Sequence, residues 1–217
     1  MAAMSGAWTP ITQPYPVKAG MEAADAKDAL RRAIRAQRSN RSARLRAHAA
    51  EAFADVIASI PEVRDASCVA TYAARSFEPG TGPLLERLAS RGARVLLPVL
   101  GSGLARDWAE YTGPEDLRER APGRPPEPGG PTLGTDAIKL ADVVVVPALA
   151  VDSRGVRLGQ GGGWYDRVLT GLRPGSRVIA VVFPEEVYDA ATRPLPVQTH
   201  DILVDAVATT VDWRQLP

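Results

Sequence analysis

The sequence is short of the residues that most often announce a chemistry. Among its 217 residues are one cysteine and two histidines, and only 6% are aromatic. A lone cysteine, Cys68, excludes an internal disulfide and a cysteine-based zinc site. It lies in the apolar run "ASCVATYAA", where a small buried side chain is the expected role. His48 and His200 stand in no pattern that assigns them a role. No stretch approaches the roughly 18 consecutive apolar residues that a membrane span needs. The opening "MAAMSGAWTPITQPYPVKAG" lacks a charged segment followed by an apolar one, so no signal peptide is expected and the expected compartment is the cytoplasm. Neither sign of charge is in excess. A net charge of +1 gives no reason to expect nucleic acid or a membrane as partner. Lysine is scarce as well: only Lys18, Lys27 and Lys139 stand among many arginines, so a lysine at a chemically busy position draws notice.

What is present is an ordinary globular composition, 45% hydrophobic and 24% charged, in a chain long enough to bury a sizeable core. Residues 1–24 read as a disordered, Pro- and Gly-containing leader, and residues 25–217 as one domain. Helical periodicity begins near Asp25: Leu30, Ala33, Ile34 and Gln37 share a face, with Arg31, Arg32, Arg35 and Arg38 around the rest. A second helix runs through Phe53, Val56 and Ile57 until Pro61 ends it. Strands are expected over residues 67–74, 93–100, 106–111, 142–149, 177–183 and 204–209, with helices after Thr81 and over residues 164–172. Residues 114–131, dense in Pro and Gly, read as an irregular excursion. The run "DVVVVPAL" is the clearest strand, and its unbroken β-branched character suits a central parallel position covered on both faces. The alternation predicts an α/β fold, a three-layer α/β/α arrangement around a mostly parallel central sheet with Rossmann-like, phosphosugar-isomerase-like topology.

The run "RLGQGGGWYDR" carries the functional signal. Four glycines in seven residues, between a strand and a helix, form the context of an anion-binding loop, although the spacing matches neither common nucleotide fingerprint. A tight strand-to-helix turn would also explain them. Asp166, just past the loop, is either a surface ion pair with Arg167 or a magnesium ligand beside a bound phosphate. Asp201, in "THDILVD", is a second acidic candidate, or an ordinary loop carboxylate. Lys27 and Arg31, four residues apart on the first helix, point the same way. From spacing alone they grip a phosphate chain or form a solvated basic face.

The longer run "DVVVVPALAVDSRGVRLGQGGGWYDRVL" resembles the signature of the 5-formyltetrahydrofolate cyclo-ligase family, also called 5,10-methenyltetrahydrofolate synthetases. "KDALRRAIRAQR", "YAARSFEPGTGPLLERLASRGARVLLPVL" and "PVQTHDILVDAVAT" resemble its opening helix, substrate-side segment and closing segment, in the same order. The resemblance implies ATP- and Mg²⁺-dependent closure of 5-formyltetrahydrofolate to 5,10-methenyltetrahydrofolate through a phosphorylated formyl intermediate, with release of ADP and phosphate. Such chemistry asks for positioning and charge neutralisation rather than a nucleophilic side chain.

By the same resemblance, ATP is bound by Lys27, Arg31, Arg157, Leu158, Gly159, Gln160, Gly161, Gly162, Gly163, Trp164 and Tyr165. The folate is bound by Ala73 and Glu78, with Gln160, Gly161, Gly162, Gly163 and Trp164 bordering it. Asp166 and Asp201 hold the magnesium, while Trp108 and the segment around Glu127 cover the folate. Two departures from the family pattern fall on the folate side, Pro79 in "EPGT" and Trp164 where tyrosine is usual. The partners implied are small molecules, a reduced folate and ATP, acting on a monomer. The alternatives are a non-catalytic folate- or nucleotide-binding relative and a phosphosugar isomerase, since a fold alone does not settle function.

Overall fold

The computed structural model describes residues 14–100 and 106–217. In chain order the helices are α1 (Ala23–Ser39), α2 (Ala43–Ser59), α3 (Pro61–Asp65), α4 (Gly82–Ser90) and α5 (Trp164–Leu169). The strands are β1 (Cys68–Ala70), β2 (Arg94–Val99), β3 (Asp107–Glu110), β4 (Leu117–Arg118), β5 (Glu127–Pro128) and β6 (Val143–Pro147). They continue with β7 (Ala150–Asp152), β8 (Arg157–Leu158), β9 (Arg177–Val181), β10 (Val187–Tyr188), β11 (Ala206–Ala208) and β12 (Trp213–Gln215). Seven of them form one sheet in the order β12-β11-β9-β6-β1-β2-β3. Its five inner strands are parallel, and β3 and β12 close the edges antiparallel.

The valine run behaves as its composition demands. Alternate residues of β6 enter opposite cores: Val143 and Val145 pack with α2, α3 and α4, and Val144 and Val146 with α5 and the 3₁₀ turn at Thr135–Leu140. That is the α/β/α layering. The chain runs outward from β1 to β2 on one side and from β6 to β9 and β11 on the other, so the sheet changes direction between β1 and β6. In open parallel sheets the crevice beyond such a switch, at the carboxyl ends of the strands, is where ligands bind.

The strand expected over residues 67–74 ends at Ala70, and the backbone beyond it leaves the sheet to form the wall of the cleft described below. The glycine loop does not follow β6 directly. Between them stands a hairpin, β7–β8, which pairs with β10 in a separate three-stranded sheet. Its turn is set by Asp152, whose carboxylate accepts from the backbone N–H groups of Arg154 and Val156 at 2.9 and 3.2 Å, and by Gly155 at φ +83°. α1 packs Leu30 and Ile34 on this small sheet. Tyr15 and Val17 pack there too, and the Tyr15 hydroxyl donates to the Pro194 carbonyl. The rest of the leader, residues 1–13, lies outside the described residues. Among the described residues no helix is long and apolar enough to cross a membrane.

Candidate functional site

A cleft of about 620 Å³ opens at the carboxyl ends of β1, β2 and β6. Lys27, Arg31, Ala73, Glu78, Asp201 and every residue from 157 to 166 line it. The side chains singled out for ATP, folate and magnesium thus come together from four separate stretches of chain.

The glycine loop owes its shape to two kinds of glycine. Gly161 and Gly163 take φ of +105° and +60°, a region that L side chains rarely adopt. Gly162 does not, and a Cβ built on it meets no described atom within 4 Å. The fold therefore does not require glycine at 162, an exposed residue that lines the cleft. Arginines hold the loop's carbonyls. Arg31 Nε donates to Gly159 O at 3.0 Å, Arg35 Nη2 to Gln160 O at 2.8 Å and Arg167 Nη2 to Gly162 O at 2.6 Å. α5 has only six residues, so its dipole is small, and these cations supply most of the pull on an anion.

Asp166 pairs with Arg157 at 2.6 Å, and not with Arg167. Successive helical residues point about 100° apart, so an adjacent partner is geometrically poor. Arg157, reaching over from β8, is buried and also donates weakly to Pro147 O at 3.5 Å. Asp201 is engaged by Lys27, whose Nζ lies 2.8 and 2.6 Å from its two oxygens and 3.0 Å from Gln198 Oε1. Among the described residues no group of three His, Cys, Asp or Glu side chains is arranged to hold a metal by itself. Two carboxylates facing one cleft do suit Mg²⁺, which is usually held by one or two carboxylates together with phosphate oxygens and water. Asp166 fits best, since Arg157 occupies one of its oxygens and its side chain is still 18% exposed.

Glu78 sits across the cleft on a cross-braced loop. Tyr72 donates to Pro79 O at 2.9 Å, and Thr81 Oγ1 donates to Tyr72 O at 2.6 Å. Gly80 leaves room for α2: a Cβ there would lie 2.8 Å from that of Ala50. The Glu78 carboxylate accepts from Arg75 N at 3.0 Å, Arg75 Nη2 at 2.7 Å and Gln160 Nε2 at 3.2 Å. Trp164 and Tyr165, which follow the glycines directly, pack edge to face with ring centroids 4.9 Å apart. The Tyr165 hydroxyl and Trp164 Nε1 are buried with no hydrogen-bond partner among the described residues. Burial, and next the Glu78 carboxylate, push the Tyr165 phenol well above its ordinary pKa.

Trp108 needs correction as a cleft residue, and the segment around Glu127 needs it only at Glu127 itself. Trp108 is fully buried behind Trp164, with ring centroids 5.2 Å apart, and does not reach the cleft. Glu127 is also buried and accepts from Leu100 N at 3.0 Å; its neighbours Arg124, Pro125 and Pro126 line the cleft instead. Sequence reasoning also assigns no site role to Arg35, Arg75, Arg167, Gln198 and His200, which line it too.

Comparison with known proteins identifies the family. The sequence model of the 5-formyltetrahydrofolate cyclo-ligase family matches residues 23–210. The chain belongs to that family. A 5-formyltetrahydrofolate cyclo-ligase of Mycolicibacterium smegmatis is 40% identical over 146 residues, 65% of this chain and 72% of that protein. The Escherichia coli K12 cyclo-ligase is 35% identical over 111 residues, and the match spans 50% of this chain and 60% of that relative. The NMR structure of 5,10-methenyltetrahydrofolate synthetase from Aquifex aeolicus superposes with a TM-score of 0.73 at 28% identity, covering 88% of this chain and 92% of that one. The synthetase of Mycoplasma pneumoniae shares the fold, with a TM-score of 0.63 at 18% identity over 83% of this chain and 96% of that one. By family the chain is an enzyme, a ligase, and its fold is that of these synthetases.

Proposed function

We propose that the cleft closes 5-formyltetrahydrofolate to 5,10-methenyltetrahydrofolate with consumption of ATP. The observation that carries the proposal is the opposition, in one cleft, of a glycine loop left open at Gly162 and the buried carboxylate of Glu78. A formamide carbon is a poor electrophile and its oxygen a poor leaving group. Transfer of the γ-phosphoryl group cures both: the formyl oxygen forms a bond to phosphorus as the bond to ADP breaks. N10 then bonds to the formyl carbon, the carbon–oxygen bond breaks, phosphate departs and N10 gives its proton to solvent.

The protein contributes positioning and charge neutralisation. In this reading Lys27, Arg31 and Arg157 face the triphosphate, and residues 158–165 wrap it. Glu78 accepts paired hydrogen bonds from the pterin ring, with Ala73 leaving clearance beside it. Gln160, the loop glycines and Trp164 border both ligands. Asp166 and Asp201 would hold Mg²⁺, which when bound neutralises phosphate charge. Recruiting Asp201 requires Lys27 to turn from it toward phosphate. The reading includes a cytoplasmic monomer with small-molecule partners; the near-neutral net charge supports only the last of these, since it favours neither nucleic acid nor an anionic membrane.

The test is absorbance in the methenyl-folate band after mixing protein, 5-formyltetrahydrofolate, ATP and Mg²⁺. A rise that needs every component is expected. Folate binding without a rise would instead identify a non-catalytic relative.

A further inference from the structure

α1 carries more than the two cations named so far. Arg35 follows Arg31 by four residues and Lys27 by eight, so one face of the helix presents three cations over about 12 Å. They divide the cleft between them. Lys27 stands at Asp201, Arg31 at the Gly159 carbonyl, and Arg35 at Gln160, where Nη2 donates to the backbone oxygen at 2.8 Å and to the side-chain oxygen at 3.0 Å. The same Gln160 amide donates to Glu78 Oε1 at 3.2 Å. Arg35 is therefore one amide away from the Glu78 carboxylate, at the opposite end of the row from Lys27.

This placement matters if, as proposed above, Glu78 holds the N–H edge of the pterin while the glycine loop holds the triphosphate; the inference rests on that reading. The γ-phosphoryl group and the formyl oxygen must then meet between loop and Glu78, which is the Arg35 end of the row. We propose that Arg35 is a catalytic residue whose guanidinium contacts the phosphoryl group in transfer and the phosphate of the formyl phosphate intermediate. Lys27 and Arg31 serve the remainder of the triphosphate.

Hydrogen-bond accounting shows how Arg35 becomes available. A carboxylate offers about four lone-pair sites, and Glu78 already accepts from Arg75 twice and from Gln160 once. A ring edge with two N–H groups needs two sites, so a present donor must leave. The Gln160 contact is the longest of the three. Its release lets the amide turn its oxygen away from Arg35 Nε and Nη2, leaving Arg35 only the Gln160 backbone carbonyl. The fork of a guanidinium then matches two phosphoryl oxygens, which a lysine cannot do. Electrostatics favour an arriving anion as well. Partial desolvation, followed by the Arg31 and Arg75 cations, pushes the Arg35 pKa down, while Asp28, which Arg31 Nη1 meets at 2.6 Å, pushes it the other way.

The experiment compares wild type, Arg35→Ala and Arg35→Lys in the absorbance assay, with ATP and folate affinities measured separately by calorimetry. For Arg35→Ala, kcat falls on the order of 10²- to 10³-fold, a larger loss than in either binding affinity. Free guanidinium, at concentrations that leave the melting temperature unchanged, restores part of the rate. Arg35→Lys, which keeps charge but not the fork, falls between the two. A kcat within about threefold of wild type, a loss confined to the KM for ATP, or a folded variant indifferent to guanidinium would each overturn the assignment and reduce Arg35 to a brace for Gln160. Failure of the wild type to form the methenyl product would sink the reading of the cleft itself.

Discussion

Gly162 offers a clean separation of stability from activity. Its φ lies outside the left-handed region, and a Cβ added there meets no described atom within 4 Å. Replacing glycine by alanine at a compatible backbone position removes freedom from the unfolded chain and stabilises by about 0.4–1 kcal/mol. For a domain of this size that raises the melting temperature by about 1–4 °C. The same methyl group fills the space through which a phosphate would approach the backbone. Loss of one backbone hydrogen bond to a charged ligand costs about 1.5–3 kcal/mol, so the KM for ATP rises about 10- to 100-fold. Gly155→Ala is the contrasting control. There φ is +83° and the new Cβ would lie 2.7 Å from Val204 O, a backbone atom that cannot swing aside. Its melting temperature falls by more than the gain seen at 162. The assay is a ligand-free thermal melt beside steady-state kinetics at saturating folate. A melting temperature lowered by several degrees in Gly162→Ala, or an unchanged KM for ATP, would refute the claim that this glycine is kept for a ligand.

Three further outcomes follow from the ion pairs and phenols. Asp166→Asn abolishes ring closure and also leaves Arg157, whose side chain is 2% exposed, without its counterion. Because the carboxylate is partly exposed and asparagine can still accept a hydrogen bond, the stability loss is about 1–3 kcal/mol, visible as a lower urea midpoint, and near-normal turnover would exclude the metal role. Arg38→Met strands the fully buried Glu186, which Arg38 meets at 2.8 and 2.6 Å, and costs about 3–5 kcal/mol. Adding Glu186→Leu should recover more than half of the lost melting temperature, and no recovery would mean that the pair itself, not the stranded charge, matters. Burial raises the Tyr72, Tyr165 and Tyr188 phenols. Above about pH 10 the unfolded chain sheds protons that the folded chain keeps, so stability is intact below that pH and falls as pH rises through it. Melts from pH 8 to 11 test this, and a flat profile would contradict it.

Much of the frame is legible in the sequence because long periodic segments announce themselves. The valine run of β6 and the Leu30–Ile34 stripe of α1 need no tertiary information. The β7–β8 hairpin escapes because its strands have three and two residues, too few for any period to emerge, although Asp152 and Gly155 mark its turn. Arg38 reads as part of the polar face, yet it occupies the next position on the stripe of Leu30 and Ile34. A charge at a core position signals a buried partner. That partner, Glu186, lies 148 residues away on a 3₁₀ turn and cannot be inferred from one sequence. The separate pieces of the site are readable, whereas their pairings are not: Lys27 meets Asp201 across most of the chain, and Arg157 reaches Asp166 from β8 across the glycine loop.

The arginine bias of the chain gains a meaning in the same cleft. Arg31, Arg35 and Arg167 donate to the carbonyls of Gly159, Gln160 and Gly162. A glycine-rich loop has no side chains with which to fix its own shape, and each glycine raises the entropy cost of ordering it. Guanidinium groups can do two things at once here, because the donors not spent on a carbonyl remain free to meet an anion. An ammonium holding the same carbonyl would have fewer donors to offer and no planar fork to align them. Lys27 plays a different part. It faces a carboxylate that must be surrendered if a cation arrives, and a flexible stem suits a group that has to move. The distribution of three arginines on the loop and one lysine at Asp201 thus follows from what each must hold still and what each must release.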